Sequence, residues 1–99
     1  MSENLIERFA RDYASGCVLF REGDPGDFMY VIQAGTVEIR RRVGDSERVL
    51  AVLPPGEFFG EMALVEPAPR SASVHAVAQS FVFRLPFVAL QHLLEHDAT

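Results

Sequence analysis

The chain has 99 residues, 48% of them apolar, with 14 acidic and 9 basic side chains and a net charge of −5. That length suits one domain with a small core. No apolar run nears the ~20 residues of a membrane-spanning helix, and the acidic balance speaks against a nucleic-acid-binding face.

The start, Met1-Ser2-Glu3-Asn4-Leu5, has neither the basic nor the apolar stretch of an export signal, so a soluble, cytoplasmic chain with no membrane partner is expected. A single cysteine, Cys17, excludes an internal disulfide, and its place at the head of an apolar run predicts a buried thiol.

In chain order, Leu5, Ile6, Phe9 and Tyr13 make an apolar stripe at helical spacing, which predicts a helix within residues 1–14 opening near Ser2. From Gly16 on, short β-rich stretches take over, at residues 17–20, 28–33, 36–42, 48–53, 73–78 and 80–85. Glu22-Gly23-Asp24-Pro25-Gly26-Asp27, Ala34-Gly35, Gly44-Asp45 and Pro54-Pro55-Gly56 separate them, supplying fixed proline φ or the positive φ that glycine tolerates. The basic run Arg40-Arg41-Arg42, with Arg48, brackets Gly44-Asp45-Ser46 and so predicts a solvated hairpin tip rather than a phosphate patch. Helical spacing returns over residues 87–96, with Leu90, Leu93 and Leu94 on one side and Pro86 in the first turn. Evenly spaced short strands imply a sandwich, a jelly roll or a small barrel, bracketed by helices.

One segment, Phe58 to Val74, breaks the strand pattern. Gly60 ends a strand, and Glu61-Met62-Ala63-Leu64 are helix formers too few for more than a turn or two before Pro67. Amides at the start of such a turn favour an anion, and the small residues Gly60 and Ala63 leave room for an oxygen. Arg70 follows a stiff Pro67-Ala68-Pro69 loop and can present its fork to phosphate oxygens, with Ser71 adding a hydroxyl and an amide. A carboxylate at Glu61 would repel that phosphate unless it accepts hydrogen bonds from something else, for which a ribose hydroxyl is the natural partner. A small phosphorylated sugar is the ligand these residues suggest.

Phe59-Gly60-Glu61-Met62-Ala63-Leu64 through Pro69-Arg70-Ser71-Ala72-Ser73-Val74 resembles the phosphate-binding cassette of the cyclic nucleotide-binding domain family, here residues 59–74. The resemblance extends to Gly23-Asp24-Pro25-Gly26-Asp27, Tyr30-Val31-Ile32, Gly35-Thr36-Val37 and Pro55-Gly56-Glu57-Phe58-Phe59-Gly60, and covers residues 16–94. It implies one mainly β domain over residues 1–99: a jelly-roll-like β roll (double-stranded β-helix) over residues 16–86, a short internal phosphate-binding helix, and short helices at both ends. It also implies a sensor, not an enzyme, with cAMP or alternatively cGMP as ligand and no cofactor. By resemblance Glu61 takes the ribose 2′-hydroxyl, Arg70 the cyclic phosphate, and the amides of Gly60, Ala63 and Ser71 complete the anion site, with Met62 and Ala72 beside them. Strand position makes Ile39 and Leu50 candidates for the base. Relatives of the family with threonine after the arginine are associated with cGMP and those with alanine with cAMP. Ser71 stands between them and leans to cAMP.

Family members usually continue into a second helix that covers the base. The chain stops at Thr99, so the resemblance implies either a half-open base with weak affinity or cover from a partner protomer or a C-terminal continuation, and with it a partner protein or an output domain elsewhere. The rival expectation is an interaction or oligomerisation module with an empty pocket, in which Arg70 merely pairs with Glu61 or Glu66. His92 and His96, four apart, and His75 lack the further ligands of a zinc site. The paired histidines of a metal cupin are missing, and Ser71 and Ser73 have no histidine–acid relay.

Overall fold

A computed structural model of the chain describes residues 7–66 and 68–91. Among the described residues eight strands form two four-stranded sheets: β1 (Ala10–Tyr13), β2 (Val18–Phe20), β3 (Phe28–Ala34), β4 (Val37–Val43), β5 (Ser46–Leu53), β6 (Phe58–Phe59), β7 (Ser73–Ala76) and β8 (Ser80–Pro86). One sheet has the order β1-β8-β3-β6 and the other β2-β7-β4-β5, and every pairing is antiparallel. Successive side chains of a strand point to opposite faces. Tyr30, Ile32, Phe59 and Val82 of the first sheet thereby meet Val37 and Val74 of the second in one buried core. This is the β roll that the family resemblance implies, where strand spacing alone left a sandwich, a jelly roll or a small barrel.

The strand limits follow local chemistry. Val43 faces Ser46 across a two-residue turn, Gly44-Asp45, in which glycine alone has positive φ (62°), the pattern of a type II′ hairpin. The basic run therefore lies at a hairpin tip: Arg40 pairs with Glu38 at 2.8 Å and Glu47 at 3.5 Å, while Arg41, Arg42 and Arg48 are exposed. Where β3 turns into β4, the buried Ser80 hydroxyl accepts from the Thr36 N–H (3.2 Å) and donates to the Ala78 carbonyl (2.8 Å), pinning that turn to the head of β8.

Three expectations are corrected. The N-terminal helix predicted over residues 1–14 is helical only at 7–9 among the described residues; Ala10–Tyr13 is β1, paired to β8 in the register Ala10↔Phe83 through Tyr13↔Ser80. Phe9 and Tyr13 fit a helix by spacing, but β8 offers four residues of unpaired backbone and a place for Tyr13 against the core, and this long-range pairing overrides weak local propensity. Pro86 ends β8 opposite Phe28 instead of opening the last helix, which begins at Phe87. A strand end suits a residue without an N–H. Cys17 is exposed, because it closes a turn (Cys17 N–H to Ala14 carbonyl, 3.0 Å) ahead of β2. No helix among the described residues is long and apolar enough to cross a membrane.

Candidate phosphate-binding site

The sequence from Phe58 to Ser73 leaves the roll and returns to it. After β6, Gly60 takes φ 84°, where a side chain is strained; a Cβ there would also stand 3.0 Å from an Arg70 nitrogen and 3.1 Å from the Phe28 carbonyl. The chain then makes one helical turn, Met62–Val65. Glu61 sits at its N-cap without a side-chain capping bond, so its carboxylate is free for other partners. The Leu64 N–H donates to the Glu61 carbonyl at 3.0 Å, whereas the amides of Met62 and Ala63 find no acceptor among the described residues.

Arg70 is held from all sides. Its backbone N–H donates to the Asp24 carbonyl (2.8 Å), and its carbonyl accepts from the Gly23 N–H (2.8 Å). Its guanidinium donates through Nη1 to the Gly60 carbonyl (3.0 Å) and through Nη2 to the Phe28 carbonyl, and lies 4.2 Å from the centre of the Phe20 ring. The residue is only 8% exposed, its Nε is buried without a partner, and no carboxylate stands within ion-pair distance among the described residues. The ion pairs with Glu61 or Glu66 weighed from the sequence do not form. Burial lowers the Arg70 pKa, while Tyr30, Asp27, Asp24 and Glu61, all near enough to act through the field, oppose that shift. The result is a desolvated cation with donor capacity to spare, which is the electrostatic description of an anion site.

Beside it lies a cavity of about 290 Å³. Phe20, Ile39, Phe59 and Val74 give it an apolar wall; Gly60, Glu61, Met62, Ala63 and Glu66 form one rim, and the run from Ala68 to Ala72 the other. The structure thus brings together every site residue picked out from the cassette, Gly60, Glu61, Met62, Ala63, Arg70, Ser71 and Ala72, and Ile39 with them. Leu50 is corrected. It does not line the cavity and is 55% exposed, because the β4–β5 register passes from Ile39↔Ala51 to Arg40↔Val49, leaving Leu50 as the extra residue of a bulge. Phe20 and Phe59 were missed as lining residues. For Phe59 the signal is its alternation with the exposed Phe58 in β6; β2 carries no such signal, since Leu19 and Phe20 both pack on the core.

Gly26 shows how closely the preceding turn packs on the cassette: a Cβ there would stand 2.6 Å from that of Ala63 and 3.6 Å from the head of Arg70. Among the described residues no three histidine, cysteine or acidic side chains gather as metal ligands; His92 and His96 lie outside them.

Comparison with known proteins agrees with this geometry. The family model described as "Cyclic nucleotide-binding domain" matches residues 10–97. The chain is 38% identical over 69 residues to a CRP-like cAMP-activated global transcriptional regulator of Mycobacterium tuberculosis, a match covering 69% of this chain and 31% of the relative. It is 42% identical over 84 residues to the cyclic AMP receptor protein of Thermus thermophilus, covering 81% of this chain and 39% of the relative. The chain therefore spans about a third of the length of these curated relatives. Among solved structures, the N-terminal domain of a transcriptional regulator from Streptomyces coelicolor superposes with a TM-score of 0.86 at 36% identity, over 96% of this chain and 69% of that one. The chain belongs to the cyclic nucleotide-binding domain family.

Proposed function

We propose that the chain is a sensor module that binds a cyclic nucleotide, cAMP in preference to cGMP, without chemical change to the ligand. The observation that carries this reading is Arg70: a buried, desolvated guanidinium with an unpartnered Nε and, among the described residues, no carboxylate partner, beside a cavity. The cyclic phosphate takes the free edge of that fork and the unpaired amides of Met62 and Ala63, with Gly60, Ser71 and Ala72 close around it. Glu61, free of any capping duty, accepts from the ribose 2′-hydroxyl. The base rests on the apolar wall at Ile39. The preference for cAMP is supported by the activities that name the two curated relatives and by serine at position 71.

Occupancy passes to the last helix as a population shift. The turn that packs on the cassette through Gly26 is bonded to the start of that helix, the Phe87 N–H donating to the Asp27 carbonyl at 2.9 Å. A placement of the cassette favoured by the phosphate is thereby felt at Phe87. An output domain or partner protein then reads the helix.

The test separates the ribose contact from the phosphate contact. Wild type should bind 2′-deoxy-cAMP about 10- to 150-fold more weakly than cAMP, the range for a hydrogen bond to a charged group, and Glu61→Ala should bind the two nucleotides alike. Equal affinity of wild type for both would remove Glu61 from the site.

A second reading has its own observation. β5 is an edge strand that exposes Val49, Leu50 and Val52, a surface suited to pairing with another chain. In that reading the contacts lie on β5 and the cavity is idle.

A further inference from the structure

We infer that Phe20 is a positioning residue that fixes the Arg70 guanidinium in the orientation a phosphate requires, through its π-face rather than its bulk. The inference rests on the cyclic nucleotide reading of the cavity.

A guanidinium on a long side chain can slide, rotate in its plane and tilt out of it. The bonds from Nη1 to the Gly60 carbonyl and from Nη2 to the Phe28 carbonyl fix the in-plane direction. Neither resists tilt, because a carbonyl oxygen accepts over a broad range of angles. The Phe20 ring does, since its centre lies 4.2 Å from the guanidinium carbon and covers one face. The attraction between a cation and the face of an aromatic ring strengthens where water is excluded, and Arg70 is buried.

The platform is itself packed between two further rings. Phe20 packs on Tyr30 (5.6 Å between centres, 47° between planes) and on Phe59 (6.0 Å, 48°). Tyr30 and Phe59 stack on each other at 4.9 Å with planes 1° apart, and both are buried. These three rings come from β2, β3 and β6, so both sheets hold the platform in place.

With one face on Phe20 and two nitrogens on carbonyls, what remains to Arg70 is Nε–H and the outer N–H bonds, which share the plane of the fork. A phosphate approaching in that plane meets donors already aligned, and ordering cost is removed from the binding step. Leucine at position 20 would fill much of the same volume but present no π-face.

The test uses the full chain, with cAMP as probe, and two variants. Phe20→Leu should weaken cAMP binding about 3- to 30-fold, whereas Phe20→Tyr, which keeps the face, should stay within about twofold of wild type. In the free chain, the Arg70 Nε–H resonance should lie upfield from ring shielding, move downfield in Phe20→Leu and stay in Phe20→Tyr. Wild-type affinity in Phe20→Leu, equal damage in both variants, or an Arg70 resonance indifferent to Phe20→Leu would each overturn the inference. If wild type binds neither cAMP nor cGMP, the sensor reading fails, and the Arg70 resonance in the free chain alone upholds or overturns the role of Phe20.

Discussion

Arg70 and Tyr30 share the buried end of the roll, and each bears the mark of that place. Burial raises the Tyr30 pKa above its ordinary 10.0, reinforced by Tyr13 and opposed by the cations Arg84 and Arg70. A group whose pKa is raised on folding favours the folded state while it stays protonated. The contribution is whole below the unfolded value and is lost as pH rises through the folded one. Denaturant unfolding between about pH 9 and 11 should therefore show stability falling with pH, and Tyr30→Phe should flatten that fall. An unchanged slope in the variant would mean that Tyr30 is not the group responsible. Residue chemistry was legible in the sequence where neighbours in the chain are neighbours in space. Gly60, Glu61, Arg70 and Ser71 fall within a dozen positions, and every one lines the cavity. Leu50 was not legible, because a one-residue bulge alters which way a side chain points without changing composition or spacing.

At the scale of elements, β2 to β5, β7 and β8 were legible as short β-rich runs, most of them bounded by glycine or proline turns, whereas β6 showed only as the strand that Gly60 ends. β1 was hidden: its partner, β8, lies about seventy positions away in the chain, and nothing local in Ala10–Tyr13 announces it. Joints between elements depend on single polar groups. The Ser80 hydroxyl serves the Thr36 N–H and the Ala78 carbonyl at once, in a site where Ser80 is 1% exposed. Ser80→Ala leaves these groups without that partner and should cost about 1 to 3 kcal/mol, read as a lower denaturation midpoint with unchanged m-value. A cost near zero would mean that water reaches the turn between β3 and β4.

For the whole molecule, the cassette, the turn at Gly26-Asp27 and the start of the last helix form one chain of contacts, running from the cavity to Phe87. If occupancy travels that way, backbone resonances of Phe87 and Leu90 should shift on saturation with cAMP, and signals that stay fixed would break the link while leaving binding intact. Binding itself is decided by calorimetric titration of the chain with cAMP and with cGMP, alongside Arg70→Ala. Saturable binding, tighter for cAMP and weakened about 30- to 1,000-fold in the variant, is expected from the loss of a charged phosphate contact. No heat with either nucleotide, or equal affinity in wild type and Arg70→Ala, would contradict a sensor built on Arg70 and leave the exposed edge of β5 as the working surface.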